Sequence, residues 1–164
     1  MNLSFRKITE ADLAFLNETR NIYAEEFLHD SRIFSLDETI HWFKTTNPDY
    51  WMIRDDDINE TVGYFRLSNY SKANKNIYIG ADIAPKFRRK GYATAAYKKF
   101  IPLLFGFYDL NKISLEVLTT NTNAIKLYEK LGFIKYTEMG KDVLKKTGVV
   151  GSIKMYILSS RLVK

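Results

Sequence analysis

The apolar and polar positions first describe a short strand, residues 3–8, and then shift to helical spacing over residues 10–21, where Leu13 and Leu16 share a face. Thr9 begins a capping box there, with Asp12 in the place usually held by glutamate. Ser35 and Glu38 repeat that signature and open a second helix bearing Ile40, Trp42 and Phe43. Residues 50–54 and 61–67 read as strands on either side of an acidic turn, Asp55, Asp56 and Asp57. Residues 77–84 form a further strand, ended by Pro85, which cannot donate to a sheet ladder. A helical pattern runs over residues 91–107, where Pro102 is expected to kink or break it. Ile113, Leu115 and Val117 alternate along a strand at 112–118. Residues 121–131 are helical up to Gly132, a natural C-cap residue, and 133–139 and 152–159 supply two closing strands. No repeat, low-complexity tract or linker interrupts the series. Strands alternating with helices in the middle, followed by extra strands, predict one α/β domain over residues 1–164, a mixed sheet covered by helices.

Composition narrows the chemistry. The chain has no cysteine, which excludes disulfides, thiolate metal sites and a cysteine acyl-enzyme; two histidines, His29 and His41, are too few for a convincing metal site. No apolar run approaches the roughly 20 residues of a membrane span, and residues 1–8 lack the apolar stretch of a signal peptide, so a cytoplasmic location without membrane contact is expected. The net charge of +6 suits an anionic ligand. Six basic residues and no acidic one fall between Lys86 and Lys99. Such a run is often only a solvated helix face.

The glycine inside this run changes the picture. Ala84-Pro85-Lys86-Phe87-Arg88-Arg89-Lys90-Gly91-Tyr92-Ala93-Thr94 reads as strand end, basic turn, glycine and helix start. The first N–H groups of a helix are unpaired and carry partial positive charge, so phosphate oxygens fit there. Gly91 lets the backbone approach an anion closely, and Arg88, Arg89 and Lys90 add full charges. The turn is neither a G-x-G-x-x-G fingerprint nor a P-loop.

Arg88-x-x-Gly91-x-Ala93, followed by Asn121-x-x-Ala124-x-x-Leu127-Tyr128-x-x-x-Gly132-Phe133, resembles the two motifs of the GNAT superfamily of N-acetyltransferases. The resemblance covers residues 77–133 well and the N-terminal third only in its order of elements. It implies about seven strands, splayed between the fourth and fifth, with about four flanking helices. It also implies acetyl-CoA as cosubstrate, with no metal. The pyrophosphate would lie on Arg88, Arg89, Lys90, Gly91, Tyr92, Ala93 and Thr94, and the pantetheine arm near Ile83. Asn121 would contact the cofactor, and can cap its helix at the same time. Tyr128 would stand near the thioester sulfur as the acid that protonates the departing thiolate. Acetyl transfer would go directly to a primary amine.

That amine must lose a proton before it attacks, and Glu116 or Asp82, acids in central strands where acids are unusual, are the candidate bases. Either could act directly or through water. Phe27, His29, Trp42, Phe43, Tyr50 and Trp51 are candidates for the acceptor pocket. The segments around Glu116 and residues 34–43 are similar to N-acetyltransferases of nucleotide-linked amino sugars, which makes such a sugar the expected acceptor. Protein N-termini and polyamines or other small amines are the alternatives. Relatives acting on polyamines or protein N-termini often carry G-x-x-x-D before the last strand; residues 148–152 leave out the acid, and the net positive charge also argues against a polycation. A homodimer is compatible with the chain. A nucleic-acid-binding domain using residues 86–99 would leave the second motif without a role, so nucleic acid is not an expected partner; a CoA-binding sensor would leave Tyr128 without one.

Overall fold

The computed structural model describes residues 1–162. The order of elements is β1 (Leu3–Lys7), α1 (Leu13–Tyr23), α2 (Leu36–Thr46), β2 (Asp49–Asp55), β3 (Glu60–Ser71), β4 (Asn76–Ile83), α3 (Tyr92–Phe107), β5 (Lys112–Leu118), α4 (Thr122–Leu131), β6 (Ile134–Met139), β7 (Val143–Lys145), β8 (Gly148–Val150) and β9 (Ser152–Leu158). Seven strands form one sheet in the order β1-β2-β3-β4-β5-β9-β6, and β7 and β8 pair as a separate hairpin. This is the α/β architecture the motifs imply.

Both capping signatures form. The Thr9 N–H donates to Asp12 Oδ2 at 2.8 Å, and Ser35 and Glu38 bond reciprocally at 2.7 and 3.1 Å. A 3-10 turn, Glu10–Asp12, precedes α1 where a single helix was expected. The expected break at Pro102 does not occur: α3 runs through it. Pro102 and Lys98 are both exposed, so the Lys98 carbonyl that loses its helical donor faces water. The β7–β8 hairpin was not anticipated, its strands being only three residues each.

Alternation gives the sheet two working faces. One carries Phe65, Ile77, Leu115 and Val117 into the main core with Tyr97, Phe100 and Tyr128 from α3 and α4. The other carries Met52 and Tyr64 against Leu13 and Leu16 of α1, with Trp42 of α2 at its margin. Glu116, between Leu115 and Val117, therefore lies on the α1–α2 face.

The parallel strands β4 and β5 pair only from Asn76 beside Lys112 to Tyr78 beside Ser114, and then separate. The Ala84 N–H bonds to the Val62 carbonyl, so alternation along β4 turns the N–H and C=O groups of Ile79, Ala81 and Ile83 away from β3 and toward β5. Where β5 has splayed off, those groups border a wedge.

Candidate active site

The wedge opens into a cleft of about 540 Å³ under the N-terminus of α3. Its end at α3 is a backbone structure. Arg89 and Gly91 take positive φ values of 59° and 86°, which wraps the turn around the helix start. The first helical bond at this end runs from the Ala95 N–H to the Gly91 carbonyl. The N–H groups of Tyr92, Ala93 and Thr94 thus have no partner within the helix, and Gly91 brings no capping side chain. A Cβ on Gly91 would meet no protein atom within 4 Å, so it would occupy the open space a ligand needs. The Arg88 guanidinium stacks over the rings of Tyr23 and Phe27, 5.4 and 5.1 Å from their centroids, with its charge held at the cleft.

Of the cofactor residues read from the sequence, Ile83, Arg88, Arg89, Gly91, Tyr92, Ala93, Thr94, Asn121 and Tyr128 line this cleft, as does Asp82; Lys90 is not among the lining residues. The basic run is divided, because Lys86 pairs with Glu60 at 2.7 Å and Lys99 donates to the Leu3 carbonyl. Asn121 caps α4, accepting from the Ala124 N–H at 3.3 Å, and its side-chain amide is left for the cleft. The Tyr23 hydroxyl donates to the Ile83 carbonyl, so one wedge acceptor already has an internal partner.

Tyr128 is buried on α4, its hydroxyl 3.4 Å from that of Tyr97. Burial pushes its pKa above the usual 10, and the bond to Tyr97 and the charge of Arg66 oppose that only in part. The phenol is therefore protonated at neutral pH.

A second cavity, of about 810 Å³, lies between α1, α2 and the sheet. His29, Trp42 and Tyr50 line it as expected, but three other aromatic candidates do not. Phe27 lines the cofactor cleft, and Phe43 packs into the α1–α2 core. Trp51, one residue from Tyr50, falls on the opposite face against Phe100 and Phe107. The sequence reading missed Tyr64, Arg66, Asp37 and Glu38 in this wall. Gly80 permits the placement of Arg66, since a Cβ there would lie 2.7 Å from its guanidinium.

Arg66 of the second cavity meets Asp82 of the first at 3.5 Å, so this pair stands where the two spaces adjoin. Asp82 is buried, and its Oδ2 has no hydrogen-bond partner among the described residues. Glu116 lines neither cavity. Its Oε1 accepts from the Lys141 N–H at 2.6 Å and from Ser152 Oγ at 2.8 Å. Burial raises the pKa of Glu116, but these bonds and the charge of Lys154 outweigh it and leave the pKa below the ordinary value. No cluster able to hold a metal ion occurs among the described residues.

The segment between α1 and α2 separates the cavities and is held from outside by the hairpin. Lys145 is buried, and its Nζ donates to the carbonyls of Ala24 (2.9 Å) and Leu28 and to Ser31 Oγ (2.6 Å).

The model of the acetyltransferase (GNAT) family matches residues 16–133, most of the chain and every residue that lines this cleft. The chain belongs to the GNAT family of acetyltransferases. It is an acetyl-CoA-dependent N-acetyltransferase, and its sheet, splayed between β4 and β5, is the GNAT fold. It is 26% identical over 163 residues to the spermidine N(1)-acetyltransferase of Vibrio cholerae, covering 97% of this chain and 94% of that one. It is 32% identical over 95 residues to the N-terminal acetyltransferase B catalytic subunit of Arabidopsis thaliana, covering 54% of this chain and 52% of that one. Among solved structures, the Vibrio cholerae spermidine N-acetyltransferase in complex with CoA and spermine superposes with a TM-score of 0.89 at 22% identity, covering 99% of both chains.

Proposed function

We propose that this acetyltransferase moves the acetyl group of acetyl-CoA onto a primary amine of a small linear polyamine. The observation that carries the reading is the near full-length similarity to a spermidine acetyltransferase, which favours the polyamine alternative over a nucleotide-linked amino sugar. The charge of the second cavity agrees with it. Its cations are largely engaged: Arg32 with Asp30 at 2.7 Å, Arg66 with Asp82, and Arg20 with the carbonyls of Asp30 and Arg32. Asp37 and Glu38 form no ion pair among the described residues, Glu38 accepting only from the Ser35 N–H, so two carboxylates border the cavity with Trp42 and Tyr50. The argument from net charge fails because +6 is a property of the whole chain, and the cavity reads only the charges that border it. The absent acid at residues 148–152 is offset by acids on α2.

In this reading the pyrophosphate lies on the α3 N-terminus and the pantetheine arm runs along the free groups of β4. The amine nitrogen arrives from the α1–α2 side and attacks the thioester carbonyl. The C–N bond forms, the C–S bond breaks, the departing thiolate takes the proton of Tyr128, and the proton shed by the attacking nitrogen passes through water to restore the phenol. Transfer is direct, because no cysteine is present to carry the acetyl group. A cytoplasmic enzyme fits the same reading; among the described residues no helix is long and apolar enough to cross a membrane. Self-association accords with Leu144 and Val149 exposed on the hairpin, and one solved spermidine N-acetyltransferase of Vibrio cholerae is dodecameric.

Spermidine, a UDP-linked 4-amino sugar and a peptide with a free N-terminus, each offered with acetyl-CoA and followed by thiol release, test the acceptor. Spermidine is expected to lead in kcat/KM by about tenfold or more. A lead of that size for the sugar or the peptide would defeat the polyamine reading.

A further inference from the structure

The ammonium proton needs an acceptor, and neither carboxylate read from the sequence lines the acceptor cavity. Glu116 lines neither cavity and has its Oε1 committed, and Asp82 lines the cofactor cleft with its Oδ1 beside the Arg66 guanidinium. Between Glu116 and the acceptor cavity stands His29. Its Nε2 lies 3.7 Å from Glu116 Oε1, is buried, and has no hydrogen-bond partner among the described residues. The rest of the side chain is 36% exposed and lines the cavity.

We propose that His29 is the base of the acetyl transfer: with Nε2–H turned to Glu116, Nδ1 offers its lone pair to the acceptor ammonium, and Glu116 is the positioning residue that fixes this tautomer. The assignment rests on the amine-transfer reading above. The charged groups acting on the ring come from three strands: Glu116 of β5, Arg66 of β3 and Lys145 of β7. Burial lowers the histidine pKa most, Glu116 opposes it, and Arg66 and Lys145 lower it further, so the ring is neutral at pH 7. A neutral imidazole, ordinarily near pKa 6.5, is a better match to an ammonium near 10 than a carboxylate near 4. A 3.7 Å separation is too long for a hydrogen bond in the free enzyme, and such contacts commonly tighten once substrate is bound.

The placement relative to Tyr128 also fits. Arg66 lines the cavity that holds His29 and Asp82 lines the cleft that holds Tyr128, so the Arg66–Asp82 pair stands where the spaces of base and acid adjoin. The imidazole takes the ammonium proton and becomes imidazolium beside Glu116. The amine attacks, the C–N bond forms and the C–S bond breaks, and the thiolate receives the Tyr128 proton; the second proton shed by the attacking nitrogen passes through water to restore Tyr128, and solvent removes the proton held by His29. Lys145 ties the chain on both sides of His29, through the Leu28 carbonyl and the Ser31 side chain.

The chain has two histidines, so ring-proton NMR of the whole protein can follow His29 beside the pH profile of kcat/KM for spermidine. His29→Gln is expected to lower kcat about 10²-fold at pH 7 and to abolish the acidic limb of the profile. Glu116→Gln keeps an oxygen for Lys141 and Ser152 but removes the charge that raises the His29 pKa. The His29 titration and the acidic limb should then move together to lower pH. An active wild type whose His29→Gln variant keeps the acidic limb, or a His29 titration unmoved by Glu116→Gln, would overturn the assignment alone. A wild type that acetylates no amine would instead sink the amine-transfer reading, and the base with it.

Discussion

The cofactor cleft and the acceptor cavity meet at the Arg66–Asp82 pair, yet they are made of different material. The cleft presents main-chain groups: the N-terminus of α3, the turn at Arg89 and Gly91, and the inner side of β4. The cavity presents side chains, namely Trp42, Tyr50, Tyr64, Arg66 and the acids of α2. A backbone site constrains the few residues that shape the chain locally. A side-chain site is assembled from α1, α2, β2 and β3 and can change its ligand one residue at a time.

The sharpest way to break this contrast is Gly91→Val. Valine is strained at φ 86°, and its side chain would fill the open space beside the helix start. In the wild type, acetyl-CoA at 100 times its Kd should stabilise the fold by about 2.7 kcal/mol. In the variant that ligand-induced shift in Tm should vanish, an affinity loss of about 10²-fold or more. Gly91→Ala, with a smaller group at the same φ, should retain part of it. A full shift in the valine variant would remove the phosphate assignment.

Tyr128→Phe tests the junction and should have the next largest effect. The ring and its packing against Tyr97 and Phe133 persist, and only the hydroxyl is lost. A fall in kcat of about 10²-fold or somewhat less is expected, with acetyl-CoA stabilisation intact. Unchanged turnover would make the hydroxyl structural.

The smallest effect belongs to the acceptor side. Asp37 is exposed, and its charge is screened by water. Asp37→Asn should raise KM for spermidine by about 2- to 5-fold, the scale of an exposed ion pair, with KM for acetyl-CoA unchanged. An equal rise for a neutral acceptor would show that the carboxylate acts on shape and not on charge.

The same contrast explains what the sequence discloses. Arg88, Gly91, Asn121 and Tyr128 are legible because each sits at a fixed offset from a strand end or helix start, and the structure gathers them around one cleft. Trp51 and Tyr50 differ by one position and part to opposite faces, so their aromatic character alone could not choose between core and cavity. Arg66 carries no motif that sets it apart in the sequence; only its approach to Gly80 and Asp82 gives it a place at the junction. Glu116 was read as a base because an acid in a central strand is unusual, and alternation does put it on the acceptor face. What could not be read is that a loop twenty-five residues later would cap it through Lys141. Glu38 was visible as a helix-capping residue, and a capping role conceals a second one.

The short pairing of β4 with β5 has an evolutionary consequence. Past Tyr78 and Ser114 the sheet has an edge inside the protein, and its exposed currency there is amide and carbonyl, the same for every residue but proline. Substitutions at Ile79, Ala81 and Ile83 are filtered by the packing of their side chains, while the groups they turn toward the wedge stay the same. Such an enzyme can drift in sequence along β4, and exchange acceptors on the opposite side of the junction, without relearning how to hold its acyl donor.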